Sequence, residues 1–85
     1  MTNVEIFEEL KTLSQFIPVS NGVLNILTGC KVTCIDASLE LQWGERVLGM
    51  ASGGGSTHRI FTETNLEKFI SLMRIQSKQY HENHG

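Results

Sequence analysis

Two short runs of alternating residues, separated by a few residues of turn character, constrain this chain more than any other feature. In Cys30-Lys31-Val32-Thr33-Cys34-Ile35 the side chains of Cys30, Val32 and Cys34 fall on one face of an extended strand. Leu39, Leu41 and Trp43 do the same in Leu39-Glu40-Leu41-Gln42-Trp43. Asp36-Ala37-Ser38 lies between the runs as a short turn, which predicts an antiparallel hairpin with one apolar face. Lys31, Thr33, Ile35, Glu40 and Gln42 would share the opposite face, either solvated or serving as a docking surface.

A half-apolar hairpin needs something to cover it, and the flanking sequence supplies two helical patterns. Residues 1–17 predict a first helix. Thr2-Asn3-Val4-Glu5 matches a capping box, and Glu5, Glu8 and Glu9 lie near the positive end of the helix dipole. Ile6, Leu10, Leu13 and Ile17 make one apolar stripe, widened by Phe7, and Pro18 ends the pattern. Thr64-Asn65-Leu66-Glu67 repeats the capping box and opens a second helix to about Lys78. Its core stripe is Leu66, Phe69, Ile70 and Met73, and Arg74 and Lys78 lie near its end. Residues 79–85 read as a frayed tail.

Between the helices, Ser20-Asn21-Gly22 is a turn signal, and residues 23–27 fit either a strand or a helical turn. Gly44-Glu45 marks another turn, residues 46–51 a strand of unclear phase, and residues 57–62 a last strand. The predicted fold is a single α+β domain spanning residues 1–85. It has two layers: an antiparallel meander sheet of four or five short strands, with an N-terminal and a C-terminal helix packed on one face. Exposed sheet edges in so small a domain suggest pairing, and a homodimer is expected.

Composition narrows the function classes. The chain has 85 residues, 40% of them hydrophobic and 19% charged, an ordinary globular balance. A net charge of −2 with a pI near 5.8 disfavours a partner held by neutralised phosphates. Arg74, Lys78 and His81, with Arg59, form the one conceivable basic patch, and Glu67 and Glu82 dilute it. No apolar run reaches membrane-spanning length and the start lacks a signal-peptide pattern, so no membrane association and a cytoplasmic location are expected. Two unpaired thiols suit a reducing compartment. Cys30 and Cys34 on one strand would lie roughly 13 Å apart, too far for a disulfide or a shared ion.

The candidate functional residues are Ser52, Gly53, Gly54, Gly55, Ser56, Thr57, His58 and Arg59. Glycines permit close backbone approach and the following side chains donate hydrogen bonds, so this loop suits an anion or a partner surface. It lacks the Lys-Ser/Thr pair of a phosphate-binding loop and runs into a strand rather than a helix. The bland reading is a hairpin connection. Trp43 is assigned to the core, with an interface anchor as its other role. No metal site, cofactor or catalytic residue is assigned. His81 and His84 lie in the tail, and Cys34 with His58 and Asp36 is a list of residue types without a signature.

Exclusion leaves a non-enzymatic protein-binding module. An inhibitor or adaptor of the phage or mobile-element type is the kind of protein that shares this size, mild acidity and lack of catalytic motif. Its partner would be another protein. The alternatives are a nucleotide or nucleic-acid binder using residues 52–59, and a small cysteine-dependent enzyme.

Overall fold

The computed structural model describes residues 2–44, 55–61 and 65–84. Five antiparallel strands form one sheet in simple chain order, flanked in sequence by an N-terminal and a C-terminal helix. The elements are α1 (Asn3–Leu10), β1 (Phe16–Val19), β2 (Gly22–Asn25), β3 (Lys31–Ile35), β4 (Ser38–Gly44), β5 (Gly55–Ile60) and α2 (Leu66–His84). The predicted α+β meander with two helices is the fold observed. No described helix is long and apolar enough to cross a membrane.

The capping box at Thr2 forms as predicted. Glu5 N donates to Thr2 Oγ1 at 3.2 Å, and Thr2 N donates to Glu5 Oε1 at 2.9 Å. The backbone N–H of Thr2 bonded to the Glu5 carboxylate holds its pKa below the usual value. The helix then stops at Leu10 rather than at Ile17. Ile6 and Leu10 are buried and Leu13 packs against the core from the turn beyond the helix, so the apolar residues meet the core as far as Leu13. Ile17 belongs to β1 and is largely exposed. Pro18, read as a helix stop, sits inside an edge strand, where its missing N–H breaks no ladder bond to a further strand. Ser20 and Asn21 then make a tight turn in which Asn21 takes φ +69°.

Residues 23–27 resolve into strand followed by turn. β2 ends at Asn25, whose side-chain oxygen accepts from Leu27 N at 2.8 Å and Thr28 N at 3.2 Å. Its amide nitrogen donates to Gln15 Oε1 at 3.0 Å, so this fully buried asparagine ties the turn after β2 to the segment before β1. Gly22 is required by close packing, because a Cβ there would collide with the Val32 carbonyl oxygen. The β3–β4 hairpin forms with Ser38 already in β4, paired with Ile35. Asp36 and Ala37 take φ +50° and +63°, both positive as a two-residue hairpin turn matched to strand twist demands.

The register puts Val32 beside Leu41 and Cys34 beside Leu39, and these side chains face the helices with Val23, Trp43 and Ile60. Ile6 and Leu10 of α1 and Phe69 and Met73 of α2 close the same core, so both helices cover one face. Asn65 caps α2, accepting from Lys68 N at 2.8 Å; Thr64 lies outside the described residues. The segment 79–85, expected to fray, is helical through His84. Tyr80 stacks on Trp43 with centroids 6.0 Å apart, and a ring nitrogen of His81 lies 2.8 Å from the Thr28 carbonyl oxygen. These contacts give the last turns of α2 something to hold.

Candidate functional site

Ser52, Gly53 and Gly54 lie outside the described residues, as does the strand expected over residues 46–51. The rest of the candidate segment is not a loop. Gly55 and Ser56 begin β5, which pairs with β4 from Gly55 opposite Gly44 to Ile60 opposite Leu39. β5 is the last strand of the sheet, and among the described residues no strand pairs with its outer edge.

Strand alternation divides the candidate residues between two faces. Ser56 and His58 lie opposite Trp43 and Leu41 on the face that carries the helices. Thr57 and Arg59 lie opposite Gln42 and Glu40 on the open face. His58 and Arg59 therefore do not converge on one anion. Arg59 is also separated by the sheet from Arg74 and Lys78 on α2, and Lys78 lies 3.9 Å from Glu82.

Arg59 is engaged on the open face. Its Nη2 lies 2.6 Å from Glu40 Oε2, and Gln42 Nε2 donates to Glu40 Oε1 at 2.5 Å. The Glu40 side chain is 10% exposed, so its carboxylate is held by these donors rather than by water. The guanidinium also stands 5.9 Å from the ring centre of Phe61, which places Phe61 on the open face too. Beyond this cluster, Asn21, Lys31, Thr33 and Ile35 border a shallow cavity of about 460 Å³, shared with Glu40 and Gln42. Thr33 Oγ1 is buried there without a hydrogen-bond partner among the described residues.

Residues 56–58 of β5 border a second cavity, of about 170 Å³, between β5 and α2. Gln76, Gln79 and Asn83 line its far side, and the stacked Trp43 and Tyr80 form its apolar wall. Trp43 Nε1 donates to Ser77 Oγ at 2.8 Å, which fixes that wall. The lining holds no carboxylate, lysine or arginine. It offers amide donors and acceptors of the kind that match a polypeptide backbone or a polar side chain.

The cysteines are separate and free. Cys30 is fully buried, and burial pushes its thiol pKa up to about 12, so the nucleophilic thiolate is disfavoured. Cys34 and His58 have β4 between them, which separates their backbones by about 10 Å or more. Among the described residues, no three of His, Cys, Asp and Glu gather as metal ligands would.

The sequence signals for β5 were its residue types. What they did not reveal is the pairing of Arg59 with Glu40 or of Trp43 with Tyr80, because both depend on register and helix length. The alternation of Leu39 to Trp43 already placed Glu40 and Gln42 on one face, and only the position of β5 was missing. No family model matches the chain, no curated protein matches it, and no solved structure matches it.

Proposed function

We propose that this chain is a non-enzymatic protein-binding module that takes an extended polypeptide segment onto the outer edge of β5. The observation that carries the reading is the contrast between the two edges of the sheet. β1 has four residues and contains Pro18, so it offers a short edge with a donor removed. β5 has six residues with neither proline nor lysine, and its one charged side chain, Arg59, is tied back to Glu40. Unguarded among the described residues, an edge of that length is a template for strand addition. Main-chain hydrogen bonds then supply affinity and flanking pockets supply selectivity.

The surroundings of β5 suit that role. An added strand would alternate its side chains between the two faces. One set would reach the amide-lined cavity beside Gln76 and Gln79, and the other would pass Arg59 and Phe61. Inhibition or bridging would follow from occupying a segment of the partner.

Two single substitutions test the reading. Successive amides in a strand point in opposite directions, so Thr57→Pro and His58→Pro remove one amide bonded to β4 and one directed outward. The outward substitution, recognised by a retained thermal transition, is expected to abolish capture of a protein partner. Capture at unchanged stoichiometry by that folded variant would contradict the reading.

A further inference from the structure

The occupant of the β5 edge follows from its own sequence, and this inference rests on the reading of that edge as the docking element. We infer that β5 pairs antiparallel with β5 of a second copy of this chain, with His58 opposite His58 of that copy.

Symmetry limits the choices. Two identical strands pair antiparallel in one continuous sheet only about a two-fold axis perpendicular to it. That operation keeps the helix-covered faces together, so paired residues must have side chains on the same face. The axis must therefore pass through a residue paired with itself. Among registers that use the whole described run 55–61, the self-paired residue is His58. Thr57 then faces Arg59 of the second copy, Ser56 faces Ile60, and Gly55 faces Phe61.

The side chains fit this register. Phe61 is 70% exposed, and it lies on the same face as Arg59. Across the strand it meets glycine, which carries no side chain, so the ring can lie over the neighbouring backbone. An aromatic ring covering a cross-strand glycine is a known way of stabilising a sheet. Sliding the pairing by two residues to centre it on Thr57 carries Phe61 beyond the residues of the second copy's β5. Charge does not oppose the match. The two Arg59 side chains are diagonal neighbours, their backbones about 7–8 Å apart, and each has its own Glu40 at 2.6 Å. The two cavities beside α2 come to flank the axis, with His58 of each copy at their shared border.

Light scattering of the native chain at millimolar concentration, with cysteine cross-linking in a Cys34→Ser background, tests the pairing. Directly opposed residues have Cα atoms about 4.5–5.5 Å apart, within disulfide reach, whereas diagonal ones do not. Oxidation with diamide is expected to link His58→Cys into a covalent dimer and to leave Thr57→Cys as single chains, with the native chain at twice its monomer mass. A mass of one chain at millimolar concentration, or a dimer that neither cysteine captures, overturns the self-pairing. Linkage of Thr57→Cys in preference to His58→Cys overturns the register. If the chain stays single while the folded outward proline variant still loses a protein partner, only the second copy as occupant is wrong. If that variant loses nothing, the docking role of β5 falls as well.

Discussion

Glu40 and Arg59 face each other across the β4–β5 pair, their charged atoms 2.6 Å apart, on the face of the sheet that neither described helix covers. The carboxylate is almost wholly enclosed while the guanidinium is nearly half exposed. The pair therefore fastens the edge strand by its open side. Because Arg59 is well solvated, its removal is discounted to about 1–2 kcal/mol of stability in Arg59→Gln, the loss coming from a carboxylate left short of a donor. Adding Glu40→Gln is expected to restore part of that loss, and denaturant melts of the single and double variants measure it. Additive losses would show that the two side chains act independently.

Trp43 and Ser77 join the sheet to the second half of α2 through one hydrogen bond of 2.8 Å. Ser77→Ala leaves a buried indole N–H without that acceptor, at an expected cost of about 1–3 kcal/mol. Tyr80→Ala removes the ring stacked on Trp43 and is expected to loosen the helix beyond Ser77. Trp43 is the chain's only tryptophan, so its fluorescence reports this locus alone, and a shift to longer wavelength is expected in Tyr80→Ala. An unchanged spectrum would mean that the indole is covered by something else.

Ala37 holds a left-handed conformation, φ +63°, at the second position of the β3–β4 turn. An L-residue with a Cβ pays for that conformation, and glycine does not. Ala37→Gly is expected to raise stability by about 1 kcal/mol, read as a higher thermal midpoint with the same sheet signal. A lower midpoint would show that the flexibility of glycine in the unfolded chain outweighs the relief of strain.

Cys30 gives the molecule an alkaline limit. Its thiol pKa in the fold is raised to about 12 from the 9.0 of a free thiol, because burial disfavours the thiolate. Below pH 9 the thiol is protonated in both folded and unfolded chains and costs nothing. Above pH 9 the unfolded chain ionises first, so stability falls by up to about 1.4 kcal/mol per pH unit from this group until the folded thiol also ionises near pH 12. Cys30→Ala is expected to flatten that decline in denaturant melts between pH 9 and 11. In the native protein at neutral pH, a thiol reagent is expected to modify Cys34 well before Cys30, and mass spectrometry of digests tells the two apart.

How much of this could be read beforehand depended on the range of the interaction involved. Thr2 and Glu5 are close in sequence, and their capping box was legible as written. The alternation from Cys30 to Trp43 located a hairpin because its turn is short and its register follows from the apolar face. Pro18 misled because a proline that ends a helix and a proline in an edge strand look alike until the neighbouring strand is known. The end of α2 was placed too early because its last turns are polar in sequence. They are held by Trp43 and Thr28, residues far away in the chain. The candidate segment was recognised by residue type but not by side. His58 and Arg59 are adjacent in sequence and lie on opposite faces, a consequence of Gly55 and Ser56 already being in the strand.

We propose that the outer edge of β5 is open in the single chain and is where association occurs. Residue-resolved amide hydrogen exchange over Gly55 to Ile60, in dilute and in millimolar solution, tests it most directly. The expected result is alternating protection when dilute, with the amides directed at β4 slow and the outward ones fast, and slowing of the outward set in concentrated solution or with a bound partner. Uniform protection of all β5 amides in the dilute single chain would contradict it, because the edge would then already be covered.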